Sequence, residues 1–330
     1  MDISVRVNIA PTLCAGAIYF PAPIFADDLR FPVDCTLGVD CVIQQYVDRD
    51  PGPGAQDFTC GPLSYDGHKG TDIRLMDQAA MRAGVDVLSA TNGIVRGLRD
   101  GMLDALQGSE GAPNVDGREC GNGVIIERAD GSTLQYCHLR NGSLRVRKGQ
   151  KVKAGETLGQ IGLSGRTQFP HVHLTIRNRD GDVVDPFDAR EQTAACDLAD
   201  TETLWTEADR PEYMPGGALS AGFSDGIPKY EDIRQGTASL STLGAGSVAL
   251  VFWAHFFGLR EGDEIHLTFT GPEGEIANST ARMPRNRATE FRAVGRKSRG
   301  LWPTGAYSGL ARLIRNDAEI ARIERSFRIN

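Results

Sequence analysis

Short apolar runs broken by turn residues fill this chain, and stretches with helical periodicity are scarce. A sequence that returns to glycine, aspartate and asparagine every few residues cannot build long helices and is driven toward sheets of short strands. Residues 123–128 and 133–139 read as two strands joined by Ala129-Asp130-Gly131-Ser132, a hairpin connection. Residues 171–177 read as a further strand, ended by the Asp180-Gly181 turn. Glycine supplies 39 of the 330 residues, which agrees with an all-β chain rich in turns. Residues 100–119 interrupt the pattern with Gly, Asp and Pro and are expected to form a long loop on the rim of a site.

The length exceeds the usual single domain, so two domains with connecting segments are expected. The first covers residues 61–190, and residues 191–215 read as a linker that Cys196 could tie back to it. Residues 216–330 form the second, with strands expected at 247–256, 264–270, 289–294, 307–314 and 319–329. Asn316-Asp317 is the turn between the last two. This spacing suggests a small C-terminal β-sandwich, an immunoglobulin-like arrangement being one candidate.

The N-terminus reads as a processing segment. Arg6 precedes an uncharged, largely apolar stretch at residues 7–26, and Asp27 and Asp28 restore polarity, the order of a secretory signal peptide (residues 1–26) cut near Ala26. Pro11, Pro21 and Pro23 argue against a membrane-spanning helix, and no later stretch is long and apolar enough for one. Leu13 stands where a lipid anchor at Cys14 would need a small residue. Residues 27–60 form an irregular, Cys-containing extension. Without Cys14, six of the seven cysteines remain, at 35, 41, 60, 120, 137 and 196, an even number that suits disulfides in an exported protein. Cys120 and Cys137 flank the hairpin strands and are expected to pair, fixing the strand that carries His138. The periplasm is the expected location, ahead of the extracellular medium. A formal net charge of −7 argues against a nucleic-acid binder, which would normally show a basic face.

Four of the six histidines fall in three short motifs: Gly67-His68-Lys69-Gly70-Thr71-Asp72, Tyr136-Cys137-His138-Leu139 and Pro170-His171-Val172-His173-Leu174. His171 and His173 are two apart on an expected strand and so share one face. His68 and Asp72 are four apart, but Gly67 and Gly70 disfavour a helix there, so a turn entering a strand must aim them at one point. Two imidazoles and a carboxylate suit a zinc ion and leave its fourth tetrahedral position for water. Coordination would lower the pKa of that water to about 7. A lone His-x-His is usually a pair of ordinary strand residues, and a single His138 could be a hydrogen-bonded core residue. The conjunction of the motifs carries the inference.

In this order and spacing, residues 61–187 resemble the lysostaphin/LytM-type peptidoglycan zinc metallopeptidases. The basic-glycine turn Val146-Arg147-Lys148-Gly149-Gln150-Lys151-Val152-Lys153-Ala154-Gly155-Glu156 follows the second motif. Gly162-Leu163-Ser164-Gly165-Arg166-Thr167 leads into the third, and Val184-Asp185-Pro186 closes the set. The resemblance implies a compact antiparallel β metallopeptidase domain binding one Zn²⁺ per chain through His68, Asp72 and His173. It makes His138 and His171 the catalytic histidines, which orient or deprotonate the attacking water and stabilise the developing oxyanion. The implied substrate is the peptide stems of peptidoglycan, whose cross-links a secreted endopeptidase would hydrolyse. A noncatalytic zinc-bound regulator or wall-binding module is the alternative. The family often has an aromatic residue and then Glu after His-x-His, where this chain has Leu174 and Thr175. Neither is a ligand or catalytic position, so little effect is expected.

Elsewhere the plain readings prevail. His255 and His266 are expected to be sandwich residues, one partly buried and one near the surface. Phe252, Trp253, Phe256 and Phe257 could form a carbohydrate platform, but alternating large apolar residues are what a sandwich core requires. Asp66, Asp77 and Asp185 could orient a ligand histidine, though such residues more often cap turns or stay solvated.

Overall fold

A computed structural model describes residues 29–191, 201–240 and 242–330. The expected signal peptide at 1–26 and the bridging role considered for Cys196 lie outside these residues. The first half contains β1 (Cys41–Gln45), β2 (Thr71–Leu75), α1 (Gln78–Ala83), β3 (Asp86–Leu88), β4 (Gly93–Arg99) and β5 (Asn122–Glu127). It continues with β6 (Thr133–Leu139), β7 (Lys151–Val152), β8 (Thr157–Gln160), β9 (His171–Arg177) and β10 (Val183–Val184). One antiparallel sheet runs β1-β2-β9-β6-β5-β4-β7, with β10 paired to β9 and a separate β3-β8 ribbon beside it.

The sequence of β9 shows how the sheet sorts its residues. Val172, Leu174 and Ile176 alternate onto one face and are buried in the domain core with Ile73, Leu75, Leu134 and Tyr136. His171, His173 and Thr175 occupy the opposite face. β2 pairs with β9 so that Asp72 stands directly across from His173, and β6 pairs on the other side with Cys137 across from His173. His173 thus sits on a central strand between the two elements that bring it partners.

The described part of the connecting segment packs onto this core. Trp205 is buried within it and forms a bridge to Leu29, while the Tyr213 hydroxyl donates to Asp57 Oδ2 at 2.8 Å. Disulfides join Cys35 to Cys41 and, as the sequence suggested, Cys120 to Cys137; Cys60 is also disulfide-bonded.

The second half contains β11 (Gly217–Ser224), α2 (Tyr230–Gln235), β12 (Ala249–Leu259) and β13 (Glu264–Gly271). β14 (Gly274–Arg282), β15 (Arg287–Lys297), β16 (Gly305–Arg315) and β17 (Ala318–Ile329) complete it. Its sheets, β11-β12-β15 and β14-β13-β16-β17, form an immunoglobulin-like sandwich around Phe252, Phe256, Leu267, Phe269 and Leu313. Asn316 and Asp317 both take positive φ, 49° and 64°, as a two-residue turn between right-twisted strands requires.

All eleven residues of β12 are buried, which a two-layer sandwich alone cannot explain. Phe252 and Phe256 point into the sandwich. Trp253 packs outward against Ile233 of α2 and Ala238, and Phe257 packs against Leu219 and against Val42 of the first domain. The four aromatic residues are therefore packing residues, and the outer face of this strand is covered by α2 and by the neighbouring domain.

Candidate active site

The loop before β2 delivers His68, and β2 itself delivers Asp72. His68 Nδ1 lies 2.6 Å from the Tyr46 carbonyl oxygen, an acceptor only, so this nitrogen carries the proton and Nε2 presents a lone pair. That Nε2 stands 3.2 Å from Asp72 Oδ1 and 3.2 Å from His173 Nδ1, and the last two atoms are 2.7 Å apart. The other edge of the His173 ring places Nε2 at 3.0 Å from the hydroxyl of the buried Thr175. Gly70 permits this placement, because a Cβ there would come within 2.6 Å of His173 Nε2.

His171, on the same face of β9, donates through Nδ1 to the Phe169 carbonyl at 2.9 Å, with Thr167 Oγ1 at 3.1 Å. Its Nε2 lies 3.5 Å from Asp72 Oδ1, so the ring edge left free points at the cluster. His138 reaches the same place by a different device. Strict alternation along β6 after Tyr136 would put residue 138 in the core. Instead His138 adopts φ 63°, its N–H leaves the ladder to donate to the Cys120 carbonyl at 2.8 Å, and Leu139 takes the core position. This bulge re-aims the side chain toward the site, at the cost of a left-handed conformation in a non-glycine residue. The His138 ring centroid is then 4.6 Å from that of His171, and its Nδ1 donates to the Ser164 carbonyl at 2.8 Å. Ser164 is held in turn by Gly165, where a side chain would collide with the Glu119 backbone.

Residues 100–119 do border this region. The Asp104 carboxylate accepts from the N–H of Leu163 and of Asn141, and the Gln107 N–H donates to the Thr167 carbonyl. The loop thereby braces the turn that precedes β9.

Charge follows from this crowding. Burial pushes the Asp72 carboxyl up, but the His68 and His171 imidazoles and the hydrogen bonds of His173 and His68 outweigh it and hold the group well below the usual carboxylate range. His68 is pulled the other way. Burial lowers its pKa, yet Asp72 and the Tyr46 carbonyl leave it above the ordinary histidine value. Burial, together with the neighbouring His171 and His173, drives His138 well below that value. His171 is also lowered by burial, with Asp72 and the Phe169 carbonyl opposing. Near neutral pH both His138 and His171 are therefore uncharged, each with its proton committed to a backbone carbonyl.

The cluster fits a metal ion. Zinc bonds of about 2.0–2.2 Å in a tetrahedron place neighbouring donor atoms roughly 3.3–3.6 Å apart; the two spacings from His68 Nε2, 3.2 Å each, come close to this, the 2.7 Å between Asp72 Oδ1 and His173 Nδ1 would have to open, and two imidazoles with one carboxylate form a common zinc donor set. Among the described residues a second grouping of candidate ligands, Cys35, Asp40 and Cys41, is closed by its disulfide.

All five site residues named from the sequence meet here. Thr175, expected from the sequence to have little effect, instead holds its hydroxyl against His173 Nε2. Its signal was present, because Thr175 is two residues beyond His173 on the same strand face. Of the three aspartates considered for an orienting role, Asp77 caps α1 through Ala80 N–H, and Asp185 accepts from Phe187 N–H in the buried interior. Asp66 is exposed in an open groove beside His68, also lined by Asp48, Lys69, Arg177 and Arg190. Main-chain carbonyls and threonine hydroxyls orient the rings instead.

The model of peptidase family M23 matches residues 66–186. The peptidoglycan DD-endopeptidase ShyA of Vibrio cholerae is 31% identical over 114 residues, 34% of this chain and 21% of that protein. The DD-carboxypeptidase/endopeptidase Mpg of Neisseria meningitidis is 29% identical over 134 residues, 41% of this chain and 28% of that protein. The chain thus spans 21% and 28% of the length of these two relatives. Among solved structures, a zinc-containing peptidase from Vibrio cholerae aligns over 43% of this chain and 38% of its own, at 25% identity and a TM-score of 0.28. The stretch that matches the model of peptidase family M23, residues 66–186, is the one that holds His68, Asp72, His138, His171 and His173.

Proposed function

We propose that this protein is an exported, zinc-dependent endopeptidase that hydrolyses peptide cross-links of peptidoglycan in the cell envelope. The observation that carries the proposal is the convergence of His68 Nε2, Asp72 Oδ1 and His173 Nδ1, flanked by the imidazoles of His138 and His171. His68, Asp72 and His173 would hold the ion. When bound, zinc supplies Lewis acidity, lowering the pKa of water in its coordination sphere to about 7 and polarising a carbonyl oxygen.

The protein's own groups do the rest. His138 and His171 keep Nδ1–H on backbone carbonyls, so Nε2 of either ring is the basic nitrogen that can take a proton from the attacking water. The resulting imidazolium can hydrogen-bond the oxygen on which charge develops and pass its proton to the leaving amine. The open groove beside His68 offers both signs of charge through Asp48, Asp66, Lys69, Arg177 and Arg190, a lining suited to a peptide stem bearing both carboxylates and an amine. The similarity to a DD-endopeptidase and a DD-carboxypeptidase/endopeptidase makes the D,D-bond the first candidate for cleavage. Among the described residues no helix is long and apolar enough to cross a membrane.

The test is a product map of purified peptidoglycan muropeptides after incubation with the purified protein, zinc-loaded and chelator-treated. The expected result is conversion of cross-linked dimers to monomers by the zinc-loaded protein only. Dimers left intact by a folded, zinc-loaded protein would overturn the proposal.

A further inference from the structure

The tripeptide that enters β9, Gln168-Phe169-Pro170, sets the catalytic face of that strand, because the Phe169 carbonyl accepts the His171 Nδ1–H at 2.9 Å. Three contacts hold it from within the first domain. Thr167 Oγ1 donates to the Phe169 carbonyl at 2.7 Å, Leu75 N–H donates to the Pro170 carbonyl at 2.9 Å, and the Arg74 guanidinium lies 4.8 Å over the Phe169 ring. The fourth contact comes from the other domain. Arg234 of α2 donates through Nη2 to the Gln168 carbonyl at 2.8 Å. Its guanidinium is aimed by its own helix, with Glu231 at 3.5 Å and the Tyr230 ring at 5.9 Å.

The helix that carries Arg234 is itself fixed. Ile233 is buried against Trp253 of β12 and Ala238, the Tyr230 hydroxyl lies 2.7 Å from the Thr289 hydroxyl, and Arg82 of α1 donates to the Gln235 carbonyl at 2.8 Å. At Gly236 a side chain would press within 2.7 Å of the Asp77 carboxyl and the Ala79 methyl, so α2 and α1 are close neighbours. A rigid path therefore runs from the sandwich through α2 to the turn before His171.

We infer that the C-terminal sandwich positions the catalytic histidine His171, with Arg234 as the positioning residue. The inference rests on the function proposed above and extends it, since it gives the second domain a part in turnover. Holding the carbonyls on both sides of Phe169 leaves its own carbonyl one direction, and the imidazole follows. With Arg234 removed, the turn keeps its anchors inside the first domain and gains freedom at Gln168. Misplacement of a reacting group by about 1 Å costs about a hundredfold in rate, so partial loosening of this turn should cost about tenfold.

The experiment compares the full-length protein with its Arg234→Met, Arg234→Lys and His171→Ala variants on a soluble cross-linked muropeptide, measuring kcat, KM, zinc content and Tm for each. The Arg234 side chain is 27% exposed, so neither replacement is forced into a core. The expected result is a roughly tenfold lower kcat for Arg234→Met, with KM, zinc content and Tm unchanged, and recovery of most of the loss in Arg234→Lys. A kcat equal to wild type in Arg234→Met overturns the inference. So does a loss of kcat that tracks lost zinc or a lower Tm, or one that Lys does not repair. His171→Ala separates the two levels. If it retains activity, or the wild type has none, the proposed function fails and takes the positioning role with it. If it is inactive while Arg234→Met is normal, the positioning role fails alone.

Discussion

The chemistry depends on which ring nitrogen faces the cluster, a matter settled one residue at a time. Replacing His138 or His171 by Ala should lower turnover by about 10²–10⁴-fold while zinc content stays near one per chain; metal analysis beside muropeptide kinetics checks both values. His68→Ala should instead lose the metal and the activity together. Thr175 belongs with the ligands in its effect, because its hydroxyl fixes the His173 ring at 3.0 Å. Thr175→Val should weaken zinc binding by about tenfold or more in a chelator competition, and Thr175→Ser should restore it. The residues that converge, His68, Asp72 and His173, were legible because His-x-x-x-Asp and His-x-His are ordered motifs. The orientation of His138 was not, because a left-handed bulge at residue 138 leaves no alternation to read.

Strands whose two faces differ were readable, and elements without that contrast were not. β6 and β9 fall where the alternation placed them, as do the strands beginning near residues 264, 307 and 319. β14 was missed because it is a polar edge strand, with every residue exposed or half-buried. α1 and α2 have six residues each, under two turns, too short for helical periodicity to show. The Cys120–Cys137 bridge bears directly on an element with a task, since it locks the end of β6 where the chain turns out of register to present His138. It closes a loop of 17 residues, so the double Cys→Ser variant should lose about 3 kcal/mol in urea unfolding. Its kcat should fall as well. Full turnover in a folded double variant would show that the bulge holds without the bridge.

At the scale of the whole molecule, two cores meet at a seam that contains Val42, Leu219, Phe257, Arg74 and His255. The sequence indicated the sandwich but not its seating, because a continuous apolar strand such as β12 does not say what covers its outer face. We propose that residues 27–215 form a separable zinc-binding unit, since Trp205 and Tyr213 already belong to the first core. This fragment should bind zinc but turn over soluble muropeptides about tenfold more slowly than the intact protein, the effect expected for loss of Arg234. The seam should also respond to acid. His255 is buried, and burial, reinforced by Arg74 and Arg234, lowers its pKa from 6.5 to about 3. Between these values the unfolded chain binds a proton that the native one refuses, so stability is full above pH 6.5 and is lost as pH falls toward 3. Melting temperatures across that range should fall less steeply for His255→Gln than for wild type; parallel slopes would remove His255 from the account.

Three of the four site imidazoles take their orientation from main-chain oxygens, those of Tyr46, Ser164 and Phe169. A peptide carbonyl is present whatever side chain follows it, so no single codon change deletes these acceptors. A change at those three positions therefore reaches the rings only through packing. His173 has no such insurance. Its outer nitrogen leans on a side-chain hydroxyl, and a library of random substitutions should show the contrast as selection for packing at 46, 164 and 169 but selection for a hydrogen-bond acceptor at 175.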